Sequence, residues 1–523
     1  MPPWRSVFAW FGLVPLLWAV LHPTVAEGQR PLRRAFLLAY FSGFLWYCGN
    51  CYWIYHTMLM YGDLSPVVSV LLLVLFSAVL GLYFGLFGMC LALTSRAKST
   101  KWALAAAPFL WVALELAAAR ITSVPWDQLG YSQIDNAFVG QLAPWTGVYG
   151  ISFVLVFFNS AFARLLLLGA GRHRTVSIAW PFFWSIVFFS CVFRDPPKPK
   201  PSAIAVLIQP NLDVGADINW PADEWNAHMA QFGEFAEETC KSFIQGIPQT
   251  GAPTVVPQCP IPPVRPDLVV WPEAPAPFEE PDPRFEHAGS SIARAVQAPL
   301  VVGTIGMDYS ADPPEWHDYN SALVIGADGE RVGRYDKIHL VPFGEYVPFE
   351  KLLFFARKLT GRVSKFDRGA TRKAFLLNGH RYGVFICYEA VFADEVRHFA
   401  QLGAEVLVNI SDDGWYGDTS APWQHLNMAR MRAIENRRWL LRDTNTGVTA
   451  VIDPYGRVRQ SIPRHQADAL PAQFGFRDDV TFYTAHGDVF ASACAILSIG
   501  VVCWSFKARA GKPGRPSWNR RLA

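Results

Sequence analysis

Three segments of the sequence each place a reactive side chain at or just past the end of an expected β-strand: 268–273, 333–345 and 382–389. Those side chains are Glu273, Lys337 and Cys387. A free thiol is mostly protonated at neutral pH, so it needs a base to become a nucleophile. A carboxylate can take its proton, and an ammonium stabilises the thiolate and the later oxyanion. The trio suits covalent catalysis, with Cys387 as nucleophile, Glu273 as general base and acid, and Lys337 as electrostatic stabiliser.

Each residue taken alone has a plainer interpretation. A cysteine at the end of an apolar strand is more often buried and inert than reactive. Glu273 could be a helix N-terminal carboxylate, and Lys337 could be a solvated surface residue. His339 and His425 invite a metal hypothesis, but their spacing is not that of paired metal ligands, so we predict no metal and no cofactor.

The composition is that of a membrane protein. Hydrophobic residues make up 51% of the 523 residues and charged residues only 17%, against about 25% in an ordinary soluble domain. So much apolar surface excludes intrinsic disorder. A net charge of +3 leaves no basic excess for nucleic acid, which we exclude as a partner.

Seven apolar runs predict membrane helices, because most approach the roughly 20 residues needed to cross a bilayer: 7–22, 35–57, 65–93, 102–118, 144–168, 178–193 and 487–506. A Pro/Lys linker at 196–201 marks a domain edge after the sixth run. We therefore predict four regions: a membrane bundle of about six helices (1–193), an extracytoplasmic catalytic domain (194–486), a C-terminal membrane helix (487–506) and a basic cytoplasmic tail (507–523).

Loop charges predict the orientation. Loops rich in Arg and Lys alternate with loops that carry few or no basic residues, and basic loops stay in the cytoplasm. This rule puts 194–486 outside and the C-terminus inside. Seven spans then require an outside N-terminus, for which a further helix upstream is one explanation. A cleaved signal peptide ending at 24–26 is disfavoured, because Arg30, Arg33 and Arg34 would follow the cleavage site on the outer side.

The 194–486 block predicts alternating strands and helices. Strands are expected at 203–209, 268–271, 300–303, 322–325, 382–387, 406–410 and 448–452. A helix is expected over 423–438, and the Pro-rich segment 246–266 is expected to be a surface insertion. Buried strands that alternate with helices predict a layered α/β domain.

The three reactive segments together resemble the nitrilase (carbon–nitrogen hydrolase) superfamily. With helices before and behind, the chain resembles the apolipoprotein N-acyltransferase family. The matching segments are 46–57, 125–133, 270–273, 339–345, 387–389, 409–418 and 422–425. The resemblance implies an α/β fold, a nitrilase-like α-β-β-α sandwich inserted in an all-α polytopic membrane bundle.

The resemblance also implies site residues and an activity. It implies a Glu273–Lys337–Cys387 triad, supported by Glu345, Tyr388, Glu389, Trp220 and Trp415. Family enzymes move an acyl chain from a phospholipid, usually phosphatidylethanolamine, onto the cysteine. They then transfer it to the α-amino group of the diacylglyceryl-cysteine of an apolipoprotein. The implied setting is the bacterial inner membrane, with a periplasmic catalytic domain and a monomeric enzyme.

Two other functions stay open at this point. A membrane-tethered amidase would use the same trio with water in the second step, and a transporter or lipoprotein-binding scaffold would not need the trio. The energetics of lipid extraction favour acyl transfer beside a bilayer. Moving a ~16-carbon chain into water costs about 0.8 kcal/mol per CH2, or roughly 12 kcal/mol, so both substrates should stay anchored while their reacting ends reach the thiol.

Overall fold

The computed structural model describes residues 4–22, 30–62, 64–167, 198–213, 221–245, 265–273, 279–346 and 365–510. The predicted span 178–193, Trp220, nearly all of the Pro-rich segment 246–266 and most of the basic tail lie outside these residues.

The first part of the chain is helical. Its α-helices are α1 (Trp4–Phe8), α2 (Val14–Leu21), α3 (Pro31–Asn50), α4 (Trp53–Met60), α5 (Pro66–Ala97), α6 (Thr100–Ile121), α7 (Ala143–Thr146) and α8 (Val148–Leu167), with short 3-10 helices at Leu129–Gln133 and Val139–Leu142. Among the described residues, four helices are long and apolar enough to cross a membrane: Pro66–Ala97, Thr100–Ile121, Val148–Leu167 and Val489–Ala508. These four coincide with the predicted spans 65–93, 102–118, 144–168 and 487–506.

Two predicted spans are not continuous helices. The run 7–22 is divided into α1 and α2, and Pro15 lies in the first turn of the second helix, where proline is tolerated. The run 35–57 is divided between α3 and α4. Here the carbonyl of Asn50 accepts a hydrogen bond from the Gln424 side chain at 3.1 Å. A contact with the second half of the chain therefore coincides with the break.

The second part contains two six-stranded sheets, ordered β12-β1-β2-β3-β4-β5 and β11-β10-β9-β8-β7-β6. The strands are β1 (Ala203–Gln209), β2 (Leu268–Val270), β3 (Leu300–Ala311), β4 (Pro314–Ile325), β5 (Arg331–Asp336), β6 (Ala374–Leu377), β7 (His380–Ile386), β8 (Val406–Ser411), β9 (Trp439–Thr444), β10 (Thr449–Ile452), β11 (Val458–Ile462) and β12 (Asp468–Phe474). All seven predicted strands are present. The strands β6, β9, β11 and β12 were not predicted, and β5 was expected only as the strand end before Lys337.

The two sheets pack face to face and bury one core between them. Leu207 of one sheet and Val384 and Leu407 of the other belong to this core. The other α-helices are α9 (Ala222–Gln245), α10 (Pro283–Val296), α11 (Ala393–Gln401), α12 (Ala421–Asn436), α13 (Phe482–His486) and α14 (Val489–Ala510). Helices α9 and α10 cover the outer face of the first sheet, and α11 and α12 cover that of the second. The α-β-β-α sandwich is confirmed.

The topology brings distant parts of the chain to one edge of the sandwich. Strands β1, β2 and β3 run parallel, as do β7, β8 and β9, so the carboxyl ends of each set lie together. Side chains that follow such strand ends collect in one place. Glu273 follows β2, Lys337 follows β5 and Cys387 follows β7.

Polar contacts join the helical part to the sandwich. Arg120, at the end of α6, is half exposed and pairs with Asp488 at 2.6 Å and with Asp394 at 2.9 Å. On α12, the buried Arg432 guanidinium donates to the Tyr131 hydroxyl at 3.0 Å. Loss of a buried hydrogen bond to a charged group is costly, so the Arg432 contact holds α12 against the helical part.

Candidate active site

An ammonium lies between two carboxylates at the centre of the site. The Lys337 Nζ donates to Glu273 Oε1 and to Glu345 Oε1, both at 2.9 Å. Lys337 is 1% exposed, and Asn320 Nδ2 donates to the same two oxygens. Burial alone would lower the pKa of the Lys337 ammonium, but the two carboxylates outweigh burial and raise it well above its usual value. The ammonium is therefore charged at any physiological pH.

The second oxygen of Glu273 is held by the backbone. Glu273 Oε2 accepts a hydrogen bond from the Asp412 N–H at 2.9 Å, just past β8. The Asp412 side chain in turn accepts from Asn445 Nδ2 at 3.0 Å. Burial raises the pKa of Asp412 to about 7. Donors on both oxygens fix the rotamer of Glu273.

Cys387 occupies a special backbone position. It is the first residue of a 3-10 helix, Cys387–Val391, and its φ of 46° is in the left-handed region. That conformation costs a residue with a side chain about 1–2 kcal/mol and is concentrated at functional sites. Burial and the nearby Glu273 carboxylate raise the pKa of the Cys387 thiol well above its usual value, while Lys337 opposes them. The thiol therefore rests protonated, and a base beside it is needed to activate it.

Glu389 ties the lysine segment to the cysteine segment. Its Oε1 accepts from the Ile338 N–H at 2.7 Å, the His339 N–H at 3.2 Å and the Tyr335 hydroxyl at 2.8 Å. Its Oε2 accepts from the Ile386 N–H at 2.8 Å. Burial raises the pKa of Glu389. With all these donors satisfied by one side chain, Glu389 sets the spacing between the two segments.

A second buried network contacts the backbone of Cys387. His425 places Nδ1 at 2.8 Å from Asp413 Oδ1 and Nε2 at 3.0 Å from the Cys387 carbonyl oxygen. Arg442 donates to Asp413 Oδ2 at 2.7 Å. Burial would raise the pKa of Asp413, but Arg442 and His425 hold it well below its usual value. Burial, and then Arg442, lower the pKa of His425.

Two predicted residues lie where the sandwich contacts the helical part. The Tyr388 hydroxyl donates to the Ser123 carbonyl at 3.4 Å. The Trp415 carbonyl accepts from the Thr57 hydroxyl at 3.0 Å, and the Trp415 ring lies edge-on to Tyr61 with centroids 5.3 Å apart. These contacts join the loops after β7 and β8 to the helical part of the chain.

The structure brings Glu273, Lys337 and Glu345 into hydrogen-bond contact and places the Cys387 thiol within their electrostatic range. Trp220 lies outside the described residues. Within the described part of the chain, no cluster of three or more His, Cys, Asp or Glu is arranged to hold a metal.

Sequence reasoning gave no role to five residues around the site, Asn320, Asp412, Asp413, Asn445 and Arg442, and it gave none to His425 after rejecting a metal there. The segments 409–418 and 422–425 were matched to the family, and they contain Asp412, Asp413 and His425. Asn320 and Arg442 lie inside strands, where nothing in the pattern distinguishes them from structural residues.

Comparison with known proteins agrees with the fold and the layout. Residues 1–161 match the apolipoprotein N-acyltransferase N-terminal domain, and residues 257–473 match the carbon–nitrogen hydrolase family. The apolipoprotein N-acyltransferase of Geobacter metallireducens is 33% identical over 95% of this chain and 92% of its own. Those of Rhizobium meliloti and Vibrio cholerae are 32% and 30% identical, over 87% and 85% of this chain and 83% of each relative. The chain belongs to the apolipoprotein N-acyltransferase family.

Proposed function

We propose that this protein is an N-acyltransferase that moves an acyl chain from a phospholipid to the N-terminal α-amino group of a diacylated apolipoprotein, through a thioester on Cys387. The observation that carries the proposal is the Lys337 ammonium held between Glu273 and Glu345 beside a buried thiol. Its partners are a phospholipid donor, with phosphatidylethanolamine as the proposed headgroup, and a lipoprotein acceptor. The names of its relatives support the same activity.

The first half-reaction loads the enzyme. Glu273 takes the proton of the Cys387 thiol as the sulfur attacks the ester carbonyl of the phospholipid. The Lys337 ammonium and the Tyr388 N–H stabilise the oxyanion, a type of interaction that is worth about 3 kcal/mol per donor. As the intermediate collapses, the carbon–oxygen bond breaks and Glu273 gives its proton to the departing glycerol oxygen. A lysophospholipid leaves, and the acyl group stays on sulfur.

The second half-reaction unloads it. The α-amino group of the acceptor attacks the thioester carbonyl and loses a proton to Glu273. The carbon–sulfur bond breaks, and the cysteine sulfur recovers that proton. Because the two substrates react one after the other, a single pocket can serve both, and each lipid stays anchored in the bilayer.

We further propose a setting for this chemistry. The four apolar helices and the names of the relatives support an inner-membrane protein. The alternation of loop charges supports a periplasmic sandwich and a cytoplasmic C-terminus. We propose that the enzyme acts as a monomer, because one chain supplies the whole Glu-Lys-Cys trio. Labelling with a membrane-impermeant reagent in intact cells tests the orientation: labelling of the sandwich only after the inner membrane is broken would contradict it.

The test uses purified enzyme and a phospholipid labelled in its acyl chains. The wild-type protein is expected to acquire a label that hydroxylamine removes, while Cys387→Ala acquires none. Cys503→Ala, which removes an exposed cysteine of α14, is the matched control and should label like wild type. Adding a diacylated lipopeptide should transfer the label to its amino group. Equal labelling of Cys387→Ala would refute the thioester, and release of the label only as free fatty acid would favour an amidase-like hydrolase.

A further inference from the structure

The carbonyl of Cys387 has an unusual partner. It accepts a hydrogen bond from His425 Nε2 at 3.0 Å, and both side chains are buried. Because a carbonyl can only accept, Nε2 must carry a proton whatever the charge of the ring. We propose, on the basis of the function above, that His425 is a positioning residue that aims the peptide group between Cys387 and Tyr388.

Peptide geometry explains what this contact would do. The peptide group is planar and trans, so its C=O and N–H point in opposite directions. Fixing the Cys387 carbonyl therefore fixes the direction of the Tyr388 N–H. That N–H lies in the first turn of the 3-10 helix, where N–H groups have no acceptor within the helix. It is free to serve the oxyanion, provided that its direction is held.

The imidazole is itself held from two sides. Asp413 contacts Nδ1 at 2.8 Å and is anchored by Arg442 at 2.7 Å, with all three side chains fully buried. On the other side, the Trp126 ring lies nearly parallel to the imidazole, with centroids 6.1 Å apart. Trp126 belongs to the helical part, and its indole N–H donates to Gln424 at 2.8 Å. His425 therefore links the Cys387 backbone to the helical part of the chain.

The left-handed conformation of Cys387 makes the hydrogen bond from His425 necessary. A residue with a side chain returns easily to negative φ, and such a return would turn the peptide plane away from the reacting carbonyl. The His425 hydrogen bond opposes that rotation. We infer that loss of this donor spares the thiol itself but misdirects the oxyanion donor next to it.

Two substitutions at one position test the inference. His425→Leu removes the donor, and His425→Gln keeps an N–H that can reach the carbonyl. Each variant is assayed for acyl-enzyme formation from labelled phospholipid and for alkylation of Cys387 by iodoacetamide, a reaction that forms no oxyanion. His380→Leu is the matched control. His380 begins β7, the strand that ends before Cys387, and the substitution removes its contact with the Glu405 carboxylate at 2.6 Å.

We expect His425→Leu to slow acyl-enzyme formation about 100-fold, the usual effect of losing an oxyanion donor. Alkylation should stay within about threefold of wild type, and His425→Gln should recover at least a tenth of the acylation rate. Equal losses of acylation and alkylation would overturn the inference, because they indicate a purely structural role. A His425→Gln variant as slow as His425→Leu would also overturn it. Failure of the wild type to acylate would instead refute the proposed function.

Discussion

Replacement of Lys337 by methionine removes the ammonium between Glu273 and Glu345 while keeping a side chain of similar length. Two buried carboxylates are then left without their cation, although Asn320 still donates to both. Removing one partner of a buried ion pair costs about 3–5 kcal/mol. One carboxylate can relieve part of this cost by binding a proton. We therefore expect a loss near 3 kcal/mol at pH 8, which lowers the melting temperature by about 3–5 °C.

The loss should depend on pH with a definite sign. Proton binding by the orphaned carboxylates becomes easier as pH falls, so Lys337→Met should be less destabilised at pH 5.5 than at pH 8. Thermal unfolding in detergent at both pH values measures the difference. The double variant Lys337→Met, Glu345→Gln leaves one carboxylate in place of two, and it should recover most of the lost stability at pH 8.

The double variant should recover stability but not catalytic activity. Loss of the ammonium removes an oxyanion donor, worth about 10²–10³ in rate, and leaves the base partly protonated. Acyl-enzyme formation should fall at least about 10³-fold in both the single and the double variant. Lys373→Met, which removes an exposed lysine that donates to the Arg334 carbonyl at 3.0 Å, is the control and should acylate normally. The reasoning fails if Lys337→Met melts like wild type at pH 8, or if the double variant acylates.

Three further predictions concern Asp412, Glu389 and Trp415. Burial raises the pKa of Asp412 from 3.8 to about 7, so the folded protein retains a proton that the unfolded chain releases, and stability falls as pH rises from about 4 to about 7. Asp412→Asn should flatten that part of the thermal-unfolding profile, and an unchanged profile would contradict the assignment. Glu389→Gln places an amide NH2 against backbone N–H groups that donate to the Glu389 carboxylate at 2.7–3.2 Å, so one donor faces another. The substitution should therefore cost about 2–3 kcal/mol of stability and slow acylation in parallel. An unchanged melting temperature would argue against the anchoring role. Trp415 is 43% exposed, so Trp415→Ala should change the melting temperature by only about 1 °C while raising KM for phospholipid several-fold at constant kcat; a fall in kcat alone would show that the ring does not contact the lipid.

Much of the architecture was predictable from local patterns. Apolar runs long enough to cross a bilayer predicted four helices that the structure contains, and buried β-rich runs predicted seven of the strands. Polar edge strands such as β11 escaped prediction, because Val458–Ile462 is largely exposed and lacks an apolar face. The break between α3 and α4 escaped it as well, since it coincides with a contact from Gln424, far along the chain.

The candidate site, like the fold, was predictable only in part. Residue types near expected strand ends by themselves supplied a thiol, a carboxylate and an ammonium whose chemistry suits covalent catalysis. Each signal alone was weak, and only the resemblance to the family selected these three residues together. Only the tertiary structure decided that Glu273 and Glu345 share the Lys337 ammonium, because strand order places the ends of β2 and β5 at the same edge of one sheet. It also decided that His425 of α12 reaches the Cys387 carbonyl after β7. Periodicity records which face of an element is buried, but not which side chains of distant segments meet, because such contacts depend on strand order and register.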